Sequence, residues 1–294
     1  MSDNTHIQWS DATLNTVTGC TRISEGCDNC YIDRTPPFRM AHRRFDSPEI
    51  GGTTGVILHD DRLALPLTWR KPRRVFVNSL ADLFHEAVPD RHITALFDVM
   101  ESPKARHHTF QVLTKRPARM RSFMRRRVAH QVERGRPVAP APNIWLGVSV
   151  ESQKWADVRI PQLVETPAAV RFLSCEPLLG EIRLHRGHAH CPTHDFPGGF
   201  CTGGCPDMIL PDWAIIGGES GPGARPMDLS WARILLDDCR HAGIAPFVKQ
   251  LGSVWARDCG AQDRKGGTPE EWPEDLRVRQ FPRAPEAVPH AAAV

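Results

Sequence analysis

The sequence predicts an α/β protein, a partial or complete (β/α) barrel that carries a small Cys/His-rich insertion. Three observations lead there. Short, nearly continuous apolar runs recur at residues 74–77, 109–113, 144–148, 170–173, 213–216 and 246–248. Strands buried on both faces need such runs, because crossover helices cover a parallel sheet on either side. Helix-length segments separate the runs, and several place apolar residues at i, i+3, i+4 and i+7. Each run also ends in polar residues, at the end of a barrel strand where ligand sites gather.

In chain order, Ile7-Gln8-Trp9 leads into a further strand and a loop with three cysteines, and residues 40–45 close a first helix after the irregular Pro36-Pro37. Residues 46–68, with Gly51-Gly52 and Pro66, read as an excursion with a hairpin around Val56-Ile57-Leu58. Asp90 is placed to cap a helix bearing Ile93, Leu96, Phe97 and Met100. After Arg116-Pro117 a helical face recurs at i, i+3, i+4 and i+8 with Met120, Phe123, Met124 and Val128. Asp228 caps a helix with Ile234 and Leu235 that stops at Gly243. These signals make residues 1–255 the barrel domain, 184–211 an insertion within it, and 256–294 an irregular C-terminal extension and tail.

At 294 residues, 40% hydrophobic and 24% charged, the chain can bury one large core. No apolar run approaches the ~18 residues of a membrane span. The start of the chain lacks a basic stretch followed by an apolar one, and nine cysteines are an odd number, so a cytoplasmic protein without a disulfide framework is expected. The net charge of +3 is unevenly spread: eleven basic residues lie between Lys104 and Arg136 against the single acid Glu133. A polyanion would feel that field, which makes Arg116, Arg119, Arg125, Arg126 and Arg127 candidate nucleic-acid contacts, with a solvated arginine face as the plainer alternative.

Cys20, Cys27 and Cys30 follow the spacing C-x6-C-x2-C, beside Gly19 and Gly26. Three thiolates with no fourth ligand suit a 4Fe-4S cube, held by three irons with one left open. Zinc is the rival, because C-x2-C pairs bind it with a second pair. After Cys30 the next histidine is His42.

The triplet followed by Tyr31 resembles the cluster loop of radical S-adenosylmethionine (SAM) enzymes, whose commonest spacing, C-x3-C-x2-C, has a shorter first gap. With Leu113-Thr114-Lys115-Arg116-Pro117, Ser174-Cys175-Glu176-Pro177-Leu178 and Gly217-Gly218-Glu219-Ser220-Gly221, the chain is similar over about residues 7–252 to a phage and prophage family of three-cysteine-motif proteins at the edge of that superfamily. The resemblance implies a radical SAM-like barrel with a 4Fe-4S cluster, SAM, and a flavodoxin- or ferredoxin-type electron donor. Some members are linked to hypermodification of thymine-derived DNA bases, which implies a DNA or nucleotide substrate and an isomerase or other C–H-activating enzyme.

A SAM site then assigns roles to the strand-end residues. Asn78, Ser79 and Asp82 are candidates for the methionine ammonium, Lys115 for its carboxylate, and Ser149 and Glu151 for the ribose. Gly217 and Gly218, with Glu219 beside them, would let backbone approach adenine or substrate. Cys175 is a candidate hydrogen-atom donor, or a core filler, and Glu176 a substrate or cofactor contact. Any one of these is equally an ordinary polar strand end. Cys239 and Cys259 read as structural or incidental.

In the insertion, Cys191, His194, Cys201 and Cys205 have zinc-knuckle spacing; a structural zinc, a disordered His-rich loop and an auxiliary iron–sulfur site are the readings open there. The rival to an enzyme is a zinc-containing nucleic-acid-binding protein on a catalytically silent barrel. A monomer or weak dimer is expected.

Overall fold

The computed structural model describes residues 5, 7–135, 139–184, 189 and 209–283. Seven strands form one all-parallel sheet: β1 (Ala12–Leu14), β4 (Arg74–Val77), β5 (Thr109–Thr114), β6 (Ile144–Ser149), β7 (Val170–Cys175), β8 (Trp213–Gly217) and β9 (Ala245–Gln250). They lie side by side in that order, and the sheet curls into a half-barrel. All six expected runs are strands, and β1 supplies one ahead of the cysteine loop. Helices α2 (Asp90–Glu101), α3 (Pro117–Glu133), α4 (Gln153–Val164) and α5 (Leu229–Ala242) make the crossovers. The β7–β8 connection holds the insertion, and Cys191, His194, Cys201 and Cys205 lie outside the described residues. Among the described residues no helix is long and apolar enough to cross a membrane.

Three local expectations are corrected. Residues 56–58 form no local hairpin: β3 (Ile57–Leu58) pairs antiparallel with β2 (Val17–Thr18), so the excursion folds back onto the strand that enters the cysteine loop. The first helix, α1 (Pro36–Met40), closes at Met40 and does not extend over residues 40–45; its two prolines with fixed φ suit an opening turn. Asp90 is the first residue of α2 and its cap is Pro89; the Asp90 carboxylate goes to Arg119 and Arg126. At α5 the expectation holds, with the Ser230 N–H donating to Asp228 Oδ1 at 2.8 Å and Gly243 ending the helix at φ 70°.

Side chains alternate across each strand, and the two faces bury different cores. The outer face packs aliphatic residues such as Val75, Val112, Leu146, Leu173 and Ile216 against the helices. The inner face is aromatic at the amino ends of the strands: Phe76, Trp145, Phe172, Trp213 and Phe247 pack with Trp9. Two to four residues further along the same face the character changes, to Asn78, Lys115, Ser149, Glu176, Gly217 and Lys249.

Residues 256–283 close the base rather than trailing from the domain. Trp272 and Leu276 are buried in the outer core, Phe247 bridges to Arg279, and Gln280 N–H donates to Pro246 O at 2.9 Å. Phe281 stacks on Trp213 at 5.2 Å, and Arg74 of β4 lies over its ring at 4.4 Å. The expected boundary at residue 255 therefore falls inside the fold, and the open edge of β9 is covered.

Candidate active site

The cysteine loop lies across the carboxyl ends of the strands and is sewn to several of them. Gly19, at φ 99°, starts the turn; a Cβ there would sit 1.6 Å from the Gly55 carbonyl. Cys20 N–H donates to Thr54 Oγ1 and Thr54 N–H to Cys20 O, both at 3.0 Å, so the 46–55 excursion buttresses Cys20. The buried Arg22 donates to the carbonyls of Cys27 and Asp28 and stacks on Phe45. Ser24 Oγ donates to Glu151 Oε1 at 2.9 Å, beyond the end of β6. Tyr31 O–H donates to Ser79 O at 2.5 Å, at the end of β4. Asn29 donates to Glu219 beyond β8 at 3.0 Å, and Arg225 returns from the same connection to Glu219, Asp28 and Glu25 O.

Around the three sulfurs the electrostatics are uneven. Burial pushes the Cys20 thiol up to about 12 and the Cys30 thiol up to about 11. Burial opposes ionisation at Cys27 too, but the Lys115 ammonium and nearby backbone N–H groups outweigh it and hold that thiol below its ordinary value. Burial in turn lowers Lys115 to about 8, against the pull of the thiolates.

Glu151 is wholly buried and shared by two cations, Lys115 and Arg159, the latter at 2.8 Å. Arg159 is itself 1% exposed, stacks 4.0 Å from the Trp155 ring, and keeps Nε and Nη2 buried without a partner. Of the partly buried cations of the mouth, Arg116 has Asp82, Lys249 has Glu176 and Arg225 has Glu219, whereas the buried Arg22 is held by carbonyls. Glu86 and Asp28, on the outer sides of Arg116 and Arg225, are more than half exposed and screened by water. Glu151 is thus one buried carboxylate shared by two cations, both of which also feel Cys27, and Asp82 and Glu25 act on Arg159 as well.

Several expected cofactor contacts are taken by the protein itself. Asp82 accepts from Phe84 N–H, Thr114 Oγ1, Lys115 N–H and Arg116, which fills its four acceptor positions and leaves none for an ammonium. Asn78 Oδ1 accepts from the Thr16 and Val17 N–H groups, and only its Nδ2 is unpartnered; Ser79 Oγ donates to Asn15. Glu151, filled by Ser24, Lys115 and Arg159, anchors the loop instead of a ribose; Ser149 stays buried below it and gives its carbonyl to Arg159. Lys115 remains at the mouth between Glu151 and the thiols. Glu219 is a clasp for Asn29 and Arg225. A Cβ on Gly217 would meet the Glu176 carboxylate at 2.7 Å, and one on Gly218 the Leu251 carbonyl at 2.4 Å, so those glycines make room for protein and not for adenine. Cys175 falls on the outer face beside Leu173, in the helix-packed core with Cys239 on α5, and burial holds its thiol well above the usual range. A hydrogen-atom donor must face the substrate, so that role is withdrawn. Glu176, paired with Lys249 at 2.8 Å, does face the interior.

The arginine face is also corrected. Arg116 meets Asp82 and Glu86, Arg119 and Arg126 meet Asp90, Arg121 and Arg125 meet Glu165, and Arg127 meets Asp98 and Glu101. Six guanidinium groups face six carboxylates, so acids from other elements match six of the eleven basic residues read between 104 and 136. A cleft of about 450 Å³ opens beside this face, running between Phe84, Arg119, Val158 and Gln162 to Lys115.

The residues fit a three-iron anchorage. The thiols are close enough to bias one another's ionisation. Among the described residues no three His, Cys, Asp or Glu side chains converge as on a single ion. Arg159, Ser24, Arg22 and Arg225 were missed from sequence; only Arg159 left a signal, a charge on the apolar face of α4 between Ala156, Ile160 and Leu163. Residues 4–277 match the family model described as "Protein of unknown function (DUF5131)". Among curated proteins and among solved structures nothing matches.

Proposed function

We propose, for a chain that belongs to the family described as "Protein of unknown function (DUF5131)", a radical SAM enzyme acting on a DNA base or nucleotide. One observation carries the reading: two cations, Lys115 and Arg159, share one buried carboxylate beside three cysteines at the mouth of a parallel half-barrel. Two cations that share one carboxylate favour a further anion beside them. Three thiolates on a 4Fe-4S core are anionic overall and fit that demand.

In this reading Cys20, Cys27 and Cys30 bind three irons. Cys27, already biased toward its thiolate by Lys115, is the first sulfur ready to bind, and Cys20 and Cys30 release their protons as metal arrives. When bound there, the cluster supplies one electron, from a flavodoxin- or ferredoxin-type donor, for cleavage of SAM and removal of hydrogen from substrate. Phe76, Phe172 and Phe247 below form a dry floor that keeps water from a reactive carbon. Glu176 and Lys249, on the inner face above it, orient the substrate. The implied outcome is a modified base, with isomerisation of an amino-acid-bearing thymine as the leading case.

Anaerobic reconstitution tests this. The wild type is expected to turn brown, to hold about four irons per chain, and to form 5'-deoxyadenosine from SAM and reductant. The variants C20A, C27A and C30A should each lose the colour and the nucleoside while keeping their fold by circular dichroism. A colourless, iron-free wild type, or a filled cluster with no 5'-deoxyadenosine, would overturn the reading.

A further inference from the structure

Two exposed cations without an acidic partner among the described residues, Arg39 and Arg44, follow shortly after Cys30. Residues 31–45 are pinned by buried Ile32 and Phe38, by Phe45 under Arg22, and by Arg43, which donates to the carbonyls of Thr18, Thr54 and Gly55. His42, at φ 52°, turns the chain at the end of α1, so that Arg43 points inward while Arg39 and Arg44 stay in water. Among the described residues no carboxylate pairs with Arg39 or Arg44. Of the neighbouring acids, Asp46 holds Thr53 N–H at 2.7 Å, Asp33 is partly buried, and Glu49 stands in solvent. Met40, next to Arg39, is 81% exposed, and Tyr31, at the start of the segment with its hydroxyl on Ser79 O, is 52% exposed. Arg34 ties the segment to Pro222 O, in the connection that also clasps the cysteine loop.

Contrast with α3 decides the partner. There every arginine is balanced; here fixed positive charge stands beside exposed side chains able to take a flat ring. That combination suits an unpaired nucleic-acid strand, which offers phosphates and bare bases together. We propose that residues 31–44 form the docking surface for single-stranded DNA, with phosphates on Arg39 and Arg44 and a base against Tyr31 and Met40. A neighbouring nucleotide then sits over the cysteine loop. The proposal rests on the nucleic-acid substrate of the reading above and not on its radical chemistry.

The test is fluorescence anisotropy with a labelled single-stranded oligonucleotide and the full chain, at several salt concentrations, without SAM or reductant. R39E/R44E is expected to weaken binding about tenfold, and R39Q/R44Q to flatten the salt dependence by about 1.4 log units per decade, the value of two lost phosphate contacts. M40A should cost about threefold. R125E/R126E, which touches only balanced arginines, should change binding less than twofold. Thermal melts of each variant matching the wild type exclude misfolding as the cause. The proposal is overturned by an absence of binding, by unchanged affinity in both Arg39/Arg44 variants, or by a loss that follows the α3 pair. It is equally overturned if duplex DNA and heparin bind as tightly with the same variant pattern. Binding of the predicted kind without 5'-deoxyadenosine would leave the docking surface standing and remove the radical chemistry alone.

Discussion

The two ends of the half-barrel are held by opposite means. At the amino ends of the strands, Trp9, Trp213, Phe247 and Phe281 meet ring against ring, Trp9–Trp213 at 6.1 Å and Phe247–Phe281 at 5.3 Å. At the carboxyl ends, the cysteine loop is held by hydrogen bonds and shared charges centred on Glu151. Aromatic packing excludes water through edge-to-face contacts such as Trp9–Trp213, whereas the polar mouth is built from hydrogen bonds and ion pairs. Rigidity at one end lets the other stay unsaturated, which a site for chemistry requires.

Separating the two ends experimentally starts with the largest effect. W213A removes the ring that touches Trp9, Phe172, Phe247 and Phe281 and should cost about 3–5 kcal/mol in denaturant unfolding. The folded fraction should still take up iron normally; a parallel loss of iron would show that the ends are not independent. E151A removes the one carboxylate shared by Lys115 and Arg159 and should cost about 3 kcal/mol, because two buried cations lose their partner. Its signature is a fall in bound iron per folded chain, which W213A should lack; wild-type iron in E151A would dissolve the distinction. The smallest effect is at the rim of the base, where Asp11 clamps Arg74. Burial works against the charged form of Asp11, but hydrogen bonds and the charge of Arg74 draw its carboxyl below the ordinary value. A lowered carboxyl stabilises above its unfolded value, near 3.9, and loses that contribution as pH falls through its folded value. The melting difference between wild type and D11N, no more than about 1 kcal/mol for so exposed a pair, should shrink below pH 4 and be constant above pH 5.

Much of the architecture was legible because buried parallel strands leave few alternatives. Runs such as Ile144 to Val148 need cover on both faces, and the change from Phe172 through Ser174 to Glu176 marks the mouth directly. The site was legible only in part. Polar strand ends announce that something is bound there, yet Asp82 and Glu151 bind neighbours from other elements, and a linear reading cannot see those donors. Arg121 and Arg125 looked unopposed because Glu165 sits some forty positions later, past the end of α4. The base was missed for a related reason: Trp272, Leu276 and Phe281 stand singly in a charged stretch, with no period to betray a buried face.

Trp213 takes Trp9 on one side and Phe281 on another, side chains drawn from nearly opposite ends of the described chain. Contacts so remote in sequence close large loops and are reached slowly. The floor of the half-barrel therefore completes late in folding, and until then an oily hollow stands open to any passing apolar surface. Cells making this protein in quantity should find it sticky while nascent and well behaved once finished, and a chaperone that shields aromatic hollows should raise its yield more than one that speeds helix formation.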